Sequence, residues 1–163
     1  MAITNLKELY VHTLKDIYYA EKQILKALPK MADKADSDQL RQAFESHQAE
    51  TEQHIATLEQ AFEILGLKAR GVTCEAIDGI LKEAKHVIGD VADKEVLDAA
   101  LIACAQAVEH YEITRYGTLI AWAKQLGLTK LVPTLEKTLD DEYRTDKTLS
   151  ALAEKKLNKK AAA

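Results

Sequence analysis

Glycine and proline are scarce, six and two in 163 residues, so the chain lacks the turn signals that punctuate an all-β protein. No segment reads as a convincing strand, and abundant Ala, Leu, Lys and Glu favour helix throughout. An excess of basic residues is also missing. The formal net charge of −4 gives no electrostatic footprint for a nucleic acid. Nor is there a long hydrophobic run approaching the roughly 18 apolar residues of a membrane span. The opening MAITNLKELY has no charged region, apolar run and cleavage site of a signal peptide. A cytoplasmic protein with neither nucleic-acid nor membrane partners is therefore expected. Cysteine is limited to Cys74 and Cys104, whose spacing makes no zinc or redox motif and leaves two ordinary buried thiols.

What is present is helical periodicity. The first long helix is expected from about Thr4 to Lys34, with Pro29 kinking or shortening it, and the second from Ser37 to a stop at Gly66. Residues 67–93 are too long for a hairpin turn and contain a short helix in TCEAIDGILKEAKHVIG. The third long helix runs from about Asp93 to Gly127, the fourth from Thr129 to about Leu157, and the tail NKKAAA reads as frayed. Two short connections flanking one long one describe an all-α, four-helix bundle of two antiparallel hairpins joined by a crossover. The whole chain, 1–163, is expected to be one domain.

Each long helix carries an apolar stripe that would face the bundle axis, and each stripe is interrupted near its middle by acids. The first stripe reads Leu14, Ile17, Glu21, Ile24, Leu28; the second Leu40, Ala43, His47, Glu50, His54, Leu58. On the third, Ala105, Glu109, Glu112 and Tyr116 follow one another, and the fourth holds Leu139, Glu142, Asp146 and Leu149. Glu21, Glu50 and His54 recur as Glu112, Glu142 and Asp146 at offsets of 91 or 92 residues, so the halves read as versions of one hairpin.

A solitary Glu in an apolar stripe usually sits at its edge and reaches out to water. A core-edge histidine usually bonds a backbone carbonyl, and that reading stands beside the ligand reading for His47 and His54. Six inward acids at matching heights are harder to dismiss, because burying unpaired carboxylates costs several kcal/mol each. No Lys or Arg occupies the stripe positions. Two divalent or trivalent metal ions would neutralise the charge, with imidazole nitrogen available from His47 or His54.

The segments DIYYAEKQILKALPK, FESHQAETEQHIATLE, AQAVEHYEITRYGTL and LDDEYRTDKTL resemble the YciF-like proteins, a branch of the ferritin-like superfamily, over about Leu6 to Leu152. The resemblance implies a ferritin-like bundle with a di-iron-type site, a homodimer and a link to bacterial stress response. It places the family's first-helix acid on Glu21 and its H-x-x-E-T motif on His47, Glu50 and Thr51. The paired third-helix acids fall on Glu109 and Glu112, and the fourth-helix acid on Glu142, with Asp146 following. The chain departs from the usual Glu-x-x-His signature, since Gln53 and Thr145 stand three residues after Glu50 and Glu142.

The candidate metal set is thus Glu21, His47, Glu50, His54, Glu109, Glu112, Glu142 and Asp146. Glu50 and Glu142 are expected to bridge two iron or manganese ions, with Glu21, Glu112 and a His or Asp at the ends. The repeat pairs Glu112 with Glu21 but Glu109 with Tyr18. Glu112 is therefore expected as a ligand and Glu109 as a supplementary ligand or a hydrogen-bonding partner of one. Two functions follow from this set. One is iron oxidation or chemistry on a small oxidant, peroxide or dioxygen; the other is a non-catalytic interaction protein with a structural or degenerate site.

Overall fold

Asn5 opens the first helix, its side chain accepting from the Glu8 N–H at 2.9 Å while the Glu8 carboxylate accepts from the Thr4 N–H at 2.8 Å. This reciprocal cap satisfies donors that a helix start leaves without partners. In the computed structural model, which describes residues 2–163, the resulting helix α1 spans Leu6–Lys34 and continues through Pro29 without being shortened. Helix α2 spans Asp38–Ile64 behind a Ser37 cap, α3 spans Glu75–Asp90, α4 spans Lys94–Gln125 behind an Asp93 cap, and α5 spans Val132–Leu152. No strand occurs among the described residues.

Glycine ends α2 and α4 in the same way. Gly66 and Gly127 take φ of 67° and 70°, a left-handed conformation that costs glycine little. The Leu67 N–H then reaches the Phe62 carbonyl and the Leu128 N–H the Ala123 carbonyl, at 2.9 and 2.8 Å, closing the last turn of each helix.

Helices α1 and α2 pack as one hairpin and α4 and α5 as the other, with α1 against α4 and α2 against α5. The common core is aliphatic and aromatic, with Tyr10, Leu14, Ile17, Leu58, Phe62, Leu101, Leu119 and Leu135 sealed from solvent. Tyrosines, the free Cys74 and a close backbone approach at Gly71 hold the crossover. Gly71 passes so near α1 that a Cβ there would sit 2.9 Å from the Tyr19 Cβ. The Val72 N–H donates to the Lys15 carbonyl at 3.2 Å, and the Tyr19 hydroxyl to Asp78 at 3.0 Å. The Tyr111 hydroxyl donates to Asp16 at 2.6 Å and meets the Cys74 sulfur at 2.9 Å. Cys74 is buried and Cys104 half-buried, both as free thiols. So fastened, α3 lies on α1 and α4 and covers that side of the bundle.

The tail differs from the frayed end expected. After α5 the chain makes one π-helical turn, Ala153–Leu157, and a last helix α6, Asn158–Ala161, that packs on α4. Burial of Ala153 and Leu157 supplies the apolar anchor, which the polar lettering of NKKAAA conceals. One stripe acid has a purely structural account. Asp98 is buried and accepts from the Asp36 and Ser37 N–H groups, both at 2.9 Å, tying the start of α4 to the start of α2. No helix among the described residues is long and apolar enough to cross a membrane.

Candidate metal centre

Midway along the bundle six side chains converge from all four long helices: Glu21 of α1, His47 and His54 of α2, Glu109 and Glu112 of α4, and Glu142 of α5, each at most 2% exposed. The spacing of seven between His47 and His54 puts both on one face of α2. One ligand-type atom from each of His47, Glu109, Glu112 and Glu142 lies within 4.8 Å of the others, and a second such group joins Glu21, His54 and Glu142. Glu142 belongs to both.

Each imidazole turns one nitrogen inward. His47 Nε2 stands 3.1 Å from Glu109 Oε1 and 3.8 Å from Glu142 Oε2, and His54 Nδ1 stands 3.0 Å from Glu142 Oε1 and 3.5 Å from Glu21 Oε1. The Tyr116 hydroxyl donates to Glu21 Oε1. Even so, Glu21 Oε2, His47 Nε2, His54 Nδ1, Glu109 Oε2 and both oxygens of Glu112 and of Glu142 make no well-directed hydrogen bond. Buried polar atoms are rarely left this way, and here all eight belong to the six side chains that converge midway along the bundle.

Burial and the charges around each group set which form it takes. Burial raises the Glu112 carboxyl well above the usual carboxylate range, and the nearby charges of Glu142, Glu21 and Glu109 add to the effect. Burial also pushes Glu142 up, to about 8, with the charge of Glu21 acting the same way and the His54 imidazole beside it opposing the rise. Burial acts against a charged imidazole at His47 and His54, but the carboxylates facing them outweigh it and hold both above the ordinary histidine value. Protons thus occupy the cluster and offset part of its negative charge.

Two acids of the candidate set lie elsewhere. Glu50 leaves the axis for the α2–α5 seam, where its Oε1 accepts from Arg144 at 2.6 Å and its Oε2 stands 3.6 Å from His47 Nδ1. Asp146 points to the α4 side, accepting from the Gln106 amide at 3.0 Å and standing 3.3 Å from the exposed His110. The physical reason is the same for both: a donor outside the core competes for a carboxylate whose helix position permits either direction. The structure therefore places Glu142 alone, without Glu50, between the two groups. His47 and His54 both face inward, so the imidazole nitrogen expected from one or the other is available from both.

Two residues of the site escaped the sequence reading. Asp141, one position off the α5 stripe, brings Oδ2 to 3.4 Å from His54 Nε2, and Arg144 also reaches Asp141 Oδ1 at 2.9 Å. The available signal was LDDEYRTD itself, an arginine two residues after the only acid of α5 that is fully sealed. Thr145 Oγ1 lies 3.3 Å from His47 Nδ1, filling the position where the usual signature has histidine.

These residues fit a pair of metal ions, by donor type and by the eight buried atoms left without partners. Comparison with known proteins places the chain. Protein YciF of Escherichia coli K12 is 43% identical over 162 residues, covering 99% of this chain and 98% of that protein. The solved structure of the E. coli stress protein YciF superposes with a TM-score of 0.91 at 42% identity, over 96% of this chain and 99% of the other. YcfI of Rhodopseudomonas palustris superposes with a TM-score of 0.90 at 52% identity, over 91% and 94% of the two chains. A ferritin-like, diiron-carboxylate protein of Bacillus anthracis str. Ames shares the fold with a TM-score of 0.66 at 20% identity, over 93% and 99% of the two chains. The family described as a domain of unknown function, DUF892, matches residues 5–162, and the chain belongs to it as a YciF-like protein with the ferritin-like bundle.

Proposed function

We propose that the chain binds two iron or manganese ions and uses them in redox chemistry, oxidising Fe(II) or consuming peroxide or dioxygen as part of a bacterial stress response. The observation that carries this reading is the pair of buried ligand groups sharing Glu142, with the cluster's inward atoms left without hydrogen-bond partners. His47, Glu109, Glu112 and Glu142 would hold one ion, and Glu21, His54 and Glu142 the other. Iron or manganese supplies a one-electron change between divalent and trivalent states, and a donor set rich in anionic oxygen favours the more charged state.

The chain's own residues supply the rest. Burial of the six side chains excludes bulk water, which strengthens every charge interaction in the site. Tyr116 fixes Glu21 by donating to its Oε1, the oxygen that faces His54, leaving the buried Oε2 without a hydrogen-bond partner. Glu112, Glu142 and the two imidazoles hold protons when no ion is bound and release them as ligands. The E. coli relative is described as a stress protein, which supports the physiological part of the proposal. The resemblance adds a homodimer, which light scattering of the purified protein checks.

Metal analysis of protein purified without chelators, followed by anaerobic calorimetric titration with Fe(II) and Mn(II), tests the reading. Two equivalents per chain at micromolar affinity or better are expected. Absence of binding would leave a non-catalytic interaction protein with a degenerate site. Binding without any oxidation of Fe(II) by peroxide or dioxygen would leave a structural centre.

A further inference from the structure

The nitrogens of His47 and His54 that face away from the centre lead to a single side chain. His47 Nδ1 stands 3.6 Å from Glu50 Oε2 and 3.3 Å from Thr145 Oγ1, and His54 Nε2 stands 3.4 Å from Asp141 Oδ2. The other oxygen of each carboxylate is taken by one atom: Arg144 Nη2 lies 2.6 Å from Glu50 Oε1 and 2.9 Å from Asp141 Oδ1. The result is an unbroken chain of charge contacts, His47–Glu50–Arg144–Asp141–His54, laid across the α2–α5 seam. Lys137 adds a second side-chain cation to Asp141 at 3.1 Å, whereas Arg144 is the only Lys or Arg paired with Glu50 among the described residues.

We propose that Arg144 is a positioning residue for both halves of the metal centre at once, orienting His47 through Glu50 and His54 through Asp141. This rests on the metal-centre reading. A carboxylate at the outer nitrogen of a ligating imidazole fixes the ring's tautomer and direction and raises its basicity as a ligand. Here one guanidinium holds both of those carboxylates, so the two ion positions, each with its own histidine, share one external support. Arg144 itself is 57% exposed and touches no inward-facing atom of the cluster. Its loss therefore removes a tether while leaving the core intact. Both contacts use a single nitrogen, so an ammonium group, with three donors on one nitrogen, can replace it in kind.

The test uses the full chain with Mn(II), a redox-quiet probe under anaerobic conditions, and 15N-histidine NMR of the metal-free protein. Glu50→Gln is expected to weaken one of the two Mn(II) steps and Asp141→Asn the other, each by roughly 10 to 100-fold with two equivalents retained at saturation. Arg144→Gln is expected to weaken both steps, and Arg144→Lys to restore both toward the parent values. Without metal, Arg144→Gln should move the ring-nitrogen signals of His47 and His54 together, Glu50→Gln those of His47 only, and Asp141→Asn those of His54 only. An Arg144→Gln protein with only one step weakened, or with either histidine unmoved, would overturn the proposal. So would loss of a whole equivalent in Glu50→Gln, which makes Glu50 a ligand. If the parent protein takes up no Mn(II), the metal-centre reading falls, and the NMR pattern still decides whether Arg144 positions both rings.

Discussion

The hairpin of α1 and α2 brings one carboxylate and two imidazoles to the centre, while that of α4 and α5 brings three carboxylates and no imidazole. Related positions behave alike in only one pair. Glu21 and Glu112, 91 residues apart, are both sealed at 0% exposure. Glu50 turns outward where Glu142 turns inward, and Asp146 turns outward where His54 turns inward. Backbone placement is therefore shared and side-chain direction is not; the deciding difference is what waits outside the bundle. Glu50 reaches from α2 to Arg144 on α5. The position 92 residues before Arg144 is Glu52, so the same repeat offers Glu142 a like charge in place of a guanidinium. Neither hairpin balances its buried charge alone.

The hardest blow to this division of labour is at the residue both groups share. Glu142→Ala should abolish binding of both Fe(II) or Mn(II) equivalents in calorimetry, although Glu142 comes from only one hairpin. Next come changes that touch one group each. Glu112→Ala should remove the ion beside His47 and Glu21→Ala the ion beside His54, each lowering stoichiometry by one equivalent. If either variant lost both, the two groups would be one site and the contrast between hairpins would lose its meaning.

A smaller, graded effect comes from protons. In the metal-free protein the folded state holds protons on His54 up to about 10 and on Glu142 up to about 8, above the ordinary values of 6.5 and 4.5. Each is a raised folded value, so its stabilising effect is complete below the ordinary value and is lost as pH rises through the folded one. Thermal melts in chelator should therefore show stability falling from about pH 5 to about pH 10, by at most about 1.4 kcal/mol per pH unit for each titrating group. Metal replaces those protons, so saturating Mn(II) should flatten the decline, and affinity should rise with pH. A metal-free melting temperature that climbs over this interval would contradict the charge assignment.

The least change sharpens the comparison most directly. Glu52→Arg supplies α2 with the cation that α5 already has. It should draw Glu142 partly outward and weaken Mn(II) binding by roughly 10-fold, about 1.4 kcal/mol, without altering helix content by circular dichroism. Unchanged affinity would mean that something other than the outer partner sets the direction of Glu142.

Much of this was legible in the sequence because helix periodicity and burial act on the same residues. The stripes located Glu21, His47, His54, Glu109, Glu112 and Glu142, and the lengths of the connections set out two hairpins and a crossover. Glu50 and Asp146, expected inward on the same evidence, lie outward, since a stripe specifies where a Cβ points and leaves a long or flexible acid free to turn toward a better partner. Arg144 and Asp141 lie off the stripe, so periodicity gave no reason to single them out; only the fold shows Asp141 at the outer nitrogen of His54 and Arg144 on Asp141 and Glu50. The Leu157 anchor was hidden by the polar tail around it.

The crossover helix gives the bundle a back and a front. On the α1–α4 side, α3 adds another helix, about 10 Å of packed chain, between the centre and the medium, and Gly71 leaves no slack to lift it. On the α2–α5 side the cover is a layer of side chains led by Arg144 and Lys137. For the proposed chemistry, small molecules have their shortest diffusion path through that front. An electron donor resting on the back would stand a full helix farther away, so traffic in matter and traffic in electrons would share the front as their shorter approach to the centre.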